Sequence, residues 1–277
     1  MQALDRYLDF KCQRLSPNYF RDLATVLNAW SRDFVSLDVV STESLQTWAD
    51  HKRESVKVST VAAYLFSIRK FFDWLIAEKL VTGNNPAVGV FLPRHRKPFR
   101  KVFVSCATVK MLIGECQDQE LKYCLFCGFH AGLRFNEVVM SRPEWFSLPE
   151  ALLHVTRSED WDTKDHEDRT IPITDDFLAF LRVYGLRVPW MIAPGKKPGG
   201  RSRYRFDFGR RFENYVARKN VHMCFHDCRR TFASLHATAG TSLLKIAHWL
   251  GDDYETVERH YAHLAPADME INRAFSA

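Results

Sequence analysis

The chain has 277 residues, which is long enough for two ordinary domains or one large one. Hydrophobic residues make up 46% of it, so a packed core is expected and wholesale disorder is excluded. Lys and Arg outnumber Asp and Glu by 39 to 33, and the resulting net charge of +6 is compatible with a polyanionic partner but does not establish one. The sequence has no apolar run of about 18 residues and does not begin like a signal peptide. We therefore expect a cytoplasmic protein with no membrane partner.

The first 92 residues are predicted to be all-helical. One helix is indicated by apolar residues at spacings of three and four, namely Val61, Leu65, Ile68, Phe72 and Leu75. Ser59 and Thr60 are the candidate N-cap of this helix. A second amphipathic helix upstream is indicated by Leu23, Val26, Leu27 and Trp30.

A basic segment at 93–101 follows and is predicted to link two domains. Its five cations, with no acid among them, are Arg94, Arg96, Lys97, Arg100 and Lys101. Two prolines hold such a segment extended, either as a solvated linker or as a strap along phosphates. Further candidate phosphate contacts are Arg69 and Lys70 on the predicted helix and, in a second basic stretch, Arg201, Arg203 and Arg205.

Residues 102–277 are predicted to form a mixed α/β domain. Helices are expected at about 106–116, 119–131, 175–184, 207–219, 227–238 and 242–250. Two short strands, at 152–156 and 169–173, are separated by a polar stretch at 158–168, which indicates a small antiparallel sheet. The predicted fold class is therefore mainly α, with a helical N-terminal domain ahead of this mixed domain.

The cysteines offer an alternative that must be weighed. Cys124 and Cys127 form a C-x-x-C, and Cys224, His226 and Cys228 form a C-x-H-x-C, so a zinc site is one interpretation. The first pair, however, lies in an apolar run without turn residues. We therefore expect buried thiols and no metal.

Five residues of the second domain carry the candidate chemistry. Arg134 follows a glycine ahead of a new helix, and Lys164 lies between the two predicted strands. His226 and Arg229 are three residues apart on one helix face, and Tyr261 lies near the C-terminus. Each residue alone has an ordinary structural interpretation, such as a surface arginine or a core tyrosine. Their combination in this order is the informative feature.

This combination resembles the tyrosine recombinase (phage integrase) family. The family pattern is a G-L-R-x-x-E segment, a hairpin lysine, an H-x-x-R helix, an L-G-H turn and a C-terminal tyrosine. The chain matches it at Gly132–Arg134, Glu137, Lys164, His226, Arg229 and Tyr261. The resemblance covers nearly the whole chain, and residues 1–92 resemble the family's core-binding domain.

The resemblance implies a role for each site residue. Arg134 and Arg229 would bind the non-bridging oxygens of a DNA phosphate, because planar guanidinium groups do this bidentately. Tyr261 would attack the phosphate and form a 3′-phosphotyrosyl bond, with His226 taking part in proton transfer. Lys164 would be the general acid for the 5′-oxygen leaving group.

The resemblance also implies the setting of the reaction. The partners would be double-stranded DNA and three further copies of the chain, as a homotetramer on two DNA sites. No cofactor is expected, because the covalent intermediate conserves the energy of the broken bond. Glu137 would orient neighbouring groups rather than touch DNA. Three alternatives remain open: a type IB topoisomerase, a relative that binds DNA without cleaving it, and a helical transcription regulator.

Asp252 departs from the family pattern, because it stands where a histidine is usual. A carboxylate is an acceptor only and repels a phosphate, so the role of this position is in doubt. In one account Asp252 faces the phosphate. In the other, which we favour, it caps the helix that carries Tyr261, with Glu255 three residues further on. His248 or His260 would then supply the missing donor.

The basic segment generates the first testable prediction. Neutralising its five cations together should weaken binding to all DNA sequences alike and reduce the dependence of binding on salt, because each phosphate contact releases counterions. Titrations of specific and nonspecific duplexes at several salt concentrations measure both effects. An unchanged salt dependence would favour the solvated linker.

Overall fold

The structure is a computed structural model that describes residues 2–34, 36–93, 103–157, 167–192 and 207–266. The chain divides into two compact units, Met1–Phe99 and Arg100–Ala277. Helices dominate both units and a small antiparallel sheet lies in the second, so the predicted fold class is confirmed. Within the described ranges, no helix is both long enough and apolar enough to cross a bilayer. The predicted linker stays a prediction, since most of it lies outside the described residues.

The first unit is built around its longest helix. Its helices are α1 (Gln2–Cys12), α2 (Pro17–Asp33), α3 (Thr42–Ser55) and α4 (Val58–Ala77). α4 packs against the other three helices, and the apolar residues predicted for its inner face are all buried. The amphipathic face predicted for α2 is also confirmed, because Leu23, Leu27 and Trp30 are buried.

The predicted N-cap of α4 is wrong. The helix begins at Val58, and the N-cap is Lys57, whose side chain makes no capping hydrogen bond. A capping hydrogen bond contributes only about 1 kcal/mol. Burial of the apolar face contributes more, so packing rather than the Ser59–Thr60 pair decides where the helix begins.

The second unit contains the remaining helices. They are α5 (Cys106–Gly114), α6 (Gln119–His130), α7 (Phe135–Met140), α8 (Asp175–Tyr184), α9 (Asp207–Arg218), α10 (Phe225–Thr238), α11 (Leu243–Leu250) and α12 (Tyr254–Tyr261). The predicted helices agree with these bounds to within two residues. α6 and α10 cross closely at Gly128, where an added Cβ would lie 2.7 Å from Cβ of Cys228. This close crossing brings the start of α10 beside the loop that follows α6.

Three strands form the sheet, in the order β1 (Phe146–Ser147), β2 (Leu152–Val155) and β3 (Arg169–Pro172). β2 and β3 pair antiparallel as predicted, whereas the two-residue β1 was not predicted. Arg169 is paired with Val155 and is buried, as is Ile171, so the inward face of β3 begins with a charged residue.

The two cysteines of the C-x-x-C are buried free thiols on α6, as expected. Burial raises the pKa of Cys124 and Cys127 well above the ordinary range of a thiol. Among the described residues, no group of three or more His, Cys, Asp or Glu side chains could hold a metal ion.

Candidate active site

Two glycines with left-handed backbone conformations frame the site. Gly132 (φ +62°) follows α6, and Gly251 (φ +59°) ends α11. A Cβ on Gly132 would lie 2.8 Å from side-chain atoms of both Leu250 and Phe232, so a larger residue does not fit without a shift. Since glycine adopts a positive φ without steric cost, these positions let the chain turn and present carbonyl oxygens to the site.

Arg229 lies on α10 and is nearly fully buried. Its Nη1 donates to the Gly132 carbonyl at 2.8 Å, and its Nη2 donates to the Leu250 carbonyl at 2.7 Å. Burial lowers the pKa of this guanidinium, although the negative charge of Asp252 opposes the shift. The two carbonyls, one after α6 and one at the end of α11, therefore fix the plane of the group.

Arg134 is the N-cap of α7, and its guanidinium group is also held by a backbone carbonyl. Its Nη2 donates to the Gly251 carbonyl at 2.7 Å, and its own backbone N–H donates to the Glu137 carboxylate at 2.7 Å. Its Nη1 donates to the other oxygen of Glu137 at 3.2 Å. Arg134 and Arg229, which are 95 positions apart in sequence, are thus brought to the same turn at the end of α11.

Glu137 is 1% exposed and forms the deepest ion pair of the site. Its two oxygens accept from Nη1 of Arg169 at 3.0 Å and from Nη2 at 2.6 Å, and Nε of Arg169 donates to the Trp249 carbonyl at 2.9 Å. Burial by itself raises the pKa of Glu137. The charge and hydrogen bonds of Arg169, with the charge of Arg229, outweigh that effect and hold the pKa below its ordinary value.

Sequence reasoning missed Arg169 as a site residue. It was placed at the start of a predicted strand, but its partner was not identified. The available signal was the register, because Arg169 shares the inward face of β3 with Ile171. A charged side chain at a buried position must be paired, so the register alone predicts a buried carboxylate partner.

Asp252 does not cap the helix that carries Tyr261, so the account that we favoured from the sequence is wrong. The N-cap of α12 is Asp253. The Asp252 backbone N–H instead donates to the Ala247 carbonyl at 3.1 Å, within the turn that ends α11. Its oxygens accept from Nη2 of Arg134 at 2.6 Å and from Nη2 of Arg229 at 2.7 Å. The carboxylate therefore bridges the two arginines.

His226 lies one turn before Arg229 on α10 and is exposed. Desolvation by surrounding protein lowers its pKa, and the positive charges of Arg230 and Arg229 lower it further. Because the shift is downward from about 6.5, the imidazole is neutral at neutral pH and can accept a proton.

Tyr261 is the last residue of α12 and packs, partly buried, against a small core that includes Val257. Burial raises the pKa of its phenol, and Asp252 adds to the rise, whereas the charges of Arg229 and Arg230 lower it. Tyr261 is thus near enough to Arg229, one of the two bridged arginines, for its charge to act on the phenol. Its proton must nevertheless be removed before it can act as a nucleophile.

Several predicted site residues cannot be placed. Lys164, the five cations of the basic segment and Arg201, Arg203 and Arg205 lie outside the described residues. Arg69 and Lys70 are described and are exposed on α4, where the Lys70 ammonium lies 5.6 Å from the centroid of the Phe66 ring. His248, proposed as a donor, is exposed on α11. His260 precedes Tyr261 on α12.

The described network is suited to binding an anion beside a hydroxyl group. Three guanidinium groups, of Arg134, Arg169 and Arg229, face two carboxylates, which leaves one positive charge in excess. The side chain of Asp252 is 28% exposed and that of Arg229 is 3% exposed, so the bridging carboxylate lies on the solvent side of the network. A site of this kind fits a phosphate monoanion.

Comparisons with known proteins agree with this description. Residues 13–79 match the family described as phage integrase, N-terminal SAM-like domain. Tyrosine recombinase XerC of Vibrio parahaemolyticus is 28% identical, with 76% of this chain and 69% of the relative covered. Tyrosine recombinase XerD of Pseudomonas putida is 26% identical, with 96% and 94% covered.

Solved structures share the fold along almost the whole chain. The Tn1549 transposon integrase in complex with circular intermediate DNA superposes with a TM-score of 0.74 at 16% identity, covering 99% of this chain and 97% of the other. A lambda integrase dimer bound to a core site superposes with a TM-score of 0.72 at 17% identity, covering 98% of both chains. The fold of this chain is therefore the fold of these two integrases. In sequence the chain is similar to tyrosine recombinases, and its residues 13–79 match the phage integrase N-terminal domain.

The buried ion pair generates the second prediction. Glu137→Gln should lower the free energy of unfolding by about 3 kcal/mol at neutral pH, because it leaves the buried Arg169 without its charged partner. Urea unfolding measures this loss. The matched control is Glu144→Gln, an exposed carboxylate, whose effect should stay within about 0.5 kcal/mol.

The contribution of Glu137 to the free energy of unfolding should also depend on pH. The folded pKa of Glu137 is lowered, so its contribution to stability is complete above the unfolded-chain value of about 4.3 and is lost as pH falls through the folded value. The stability difference between wild type and Glu137→Gln should therefore shrink as the pH is lowered from about 5 towards about 3. A stability difference that stays constant over this pH range would contradict a lowered pKa for Glu137 in the folded protein.

Proposed function

We propose that this chain is a site-specific DNA recombinase that cuts and rejoins DNA through a covalent bond between Tyr261 and a 3′ phosphate, and exchanges strands between two duplexes. The observation that carries the proposal is the convergence of Arg134 and Arg229 on one anion position, with Tyr261 within reach of the charge of Arg229.

The two arginines bind the scissile phosphate. Each offers an Nη2 group to the position where the Asp252 carboxylate now lies, and each is fixed by a backbone carbonyl. Fixed donors need no reorganisation when negative charge develops in the transition state. Guanidinium groups also keep their charge at any physiological pH, which a phosphate-binding site requires.

Tyr261 attacks the phosphorus and His226 takes the phenolic proton. The bond between the phenol oxygen and phosphorus forms while the bond from phosphorus to the 5′ oxygen breaks. Because burial raises the pKa of Tyr261, the phenol needs a base, and the lowered pKa of His226 keeps its imidazole neutral and able to serve. The positive charges of Arg229 and Arg230 favour the phenolate as it forms.

Lys164 donates a proton to the departing 5′ oxygen. This assignment rests on the family resemblance and on the place of Lys164 in the sequence between β2 and β3. The reverse reaction rejoins the strand, with Tyr261 as leaving group and a 5′ hydroxyl as nucleophile. Since the phosphotyrosyl bond preserves the energy of the phosphodiester, no nucleotide is needed, and since the arginines supply the positive charge, no metal is needed.

The substrate is double-stranded DNA, and four copies of the chain act on two sites in the bacterial cytoplasm, at the nucleoid. Support comes from the relatives, because the Tn1549 integrase is in complex with DNA and the lambda integrase is a dimer bound to a core site. The basic residues from Arg94 to Lys101, with Arg69, Lys70, Arg201, Arg203 and Arg205, contact the phosphate backbone.

A substrate that traps the covalent intermediate tests the nucleophile. Wild type incubated with a nicked site, from which the cleaved fragment diffuses away, should give a protein–DNA adduct on denaturing electrophoresis. Tyr261→Phe should bind the same DNA equally well but give no adduct, because only the hydroxyl is lost. The matched control is Tyr254→Phe on the same helix, whose hydroxyl lies 3.2 Å from Glu258 and is exposed.

The control variant should give wild-type amounts of adduct. An adduct with Tyr261→Phe that is lost with Tyr254→Phe would move the nucleophile to Tyr254. If wild type binds DNA specifically but gives no adduct under any condition, the result would support the alternative that this chain binds DNA without cleaving it.

The leaving group provides a further prediction. Lys164→Ala should slow cleavage by about 100-fold or more, in line with the loss of a general acid. A substrate with sulfur in place of the bridging 5′ oxygen should restore most of the rate, because a thiolate leaves without a proton. Single-turnover rates on both substrates measure this rescue, and failure of the sulfur substrate to rescue would assign Lys164 to binding instead.

A further inference from the structure

We propose that the Asp252 carboxylate occupies the phosphate position of the empty site, holds Arg134 and Arg229 in place there, and must be displaced when the scissile phosphate binds. This inference rests on the proposed function. It assigns Asp252 as a positioning residue that competes with DNA.

The hydrogen bonds show why the two anions compete. An Nη2 group has two hydrogens. On Arg134 they go to the Gly251 carbonyl and to Oδ1 of Asp252, at 2.7 and 2.6 Å. On Arg229 they go to the Leu250 carbonyl and to Oδ2 of Asp252, at 2.7 and 2.7 Å. Both groups are saturated, so a phosphate oxygen can gain these donors only if Asp252 releases them.

The shape of the contact matches that of the expected ligand. One planar carboxylate spans two guanidinium groups with one oxygen on each, as two non-bridging oxygens of a phosphodiester would. Both are monoanions, so the exchange leaves the charge at the position unchanged. If Asp252 stayed beside a bound phosphate, two like charges would share one position.

The backbone of Asp252 is fixed, whereas its side chain has room to move. Asp252 follows the left-handed Gly251, and its N–H is bonded to the Ala247 carbonyl, so the turn directs the side chain at the arginines. The side chain is nevertheless 28% exposed, which gives it an open side towards solvent. A change of side-chain rotamer is therefore enough to vacate the position.

Asp252 also compensates for a buried charge before DNA arrives. Arg229 is 2% exposed, and burial disfavours its charged form. The carboxylate supplies a counter-charge and fixes both Nη2 groups at one point. The empty site is thus kept in its binding geometry, at the cost of weaker phosphate affinity.

The first experiment uses inorganic phosphate as the probe and the full-length chain. Asp252→Asn and Asp252→Ala should each bind phosphate about tenfold more tightly than wild type, because apparent affinity scales with the fraction of molecules whose site is vacant. Isothermal titration measures the affinity. Both variants should also have a lower Tm than wild type without phosphate, and phosphate should raise their Tm more than it raises that of wild type.

The neighbouring Asp253 provides the matched control. It is exposed, its side chain makes no capping hydrogen bond, and Asp253→Asn changes the net charge by the same amount. Phosphate affinity and Tm of this control should equal those of wild type. Tighter phosphate binding by Asp253→Asn to the same extent would attribute the effect to net charge and overturn the proposal.

A second measurement follows adduct formation on the nicked site at subsaturating DNA. Asp252→Asn should raise the rate severalfold, and Asp253→Asn should leave it unchanged. The proposal is overturned if Asp252→Asn binds phosphate as weakly as wild type or more weakly. It is also overturned if Asp252→Asn no longer forms the adduct, because Asp252 would then be a catalytic group. If wild type and all variants give no adduct while phosphate binding tightens as expected, the recombinase function fails and the competition stands.

Discussion

The site depends on a single buried carboxylate, that of Glu137. It accepts two hydrogen bonds from Arg169 at the start of β3 and two from Arg134 at the start of α7, and Arg169 in turn donates to the Trp249 carbonyl on α11. Three segments that are distant in sequence are therefore joined at one ion pair. A buried pair of this kind contributes little net stability over apolar packing, but loss of either partner is costly. Its effect is to fix geometry, and the anion site lies directly against it.

Backbone carbonyls also hold the arginines of the site in place. Gly132, Leu250 and Gly251 present oxygens that orient the guanidinium planes of Arg134 and Arg229. Because these oxygens belong to turns formed by left-handed glycines, the orientation does not rely on flexible side chains. The turn that ends α11 has two roles. It supplies two of these carbonyls, and it places the Asp252 carboxylate against the two guanidinium groups. One loop therefore both builds the phosphate position and occupies it.

Asp252 and Arg169 are site residues whose charged partners could not be predicted from local rules. Asp252 and Asp253 are adjacent, and an Asp near the start of a predicted helix is a good N-cap candidate, so local rules could not say which of the two would serve. Asp253 is the N-cap because the backbone hydrogen bonds of the turn after α11 set the start of the next helix at Tyr254. Arg169 was visible only as the first residue of a strand. Its role needed the register of β3 and the position of Glu137, 32 residues earlier.

By itself, the sequence determined the class of fold, most helix and strand bounds, and the identities of the candidate catalytic residues Arg134, His226, Arg229 and Tyr261. The fold class and the bounds follow from local periodicity and turn-forming residues, and the candidate catalytic residues follow from the resemblance of their order to the tyrosine recombinase pattern. Only the tertiary structure decided which charges meet. Arg134 and Arg229 share Asp252 because α6, α10 and the end of α11 pack together, and the sign and strength of a charged contact depend on distance and burial rather than on spacing in sequence.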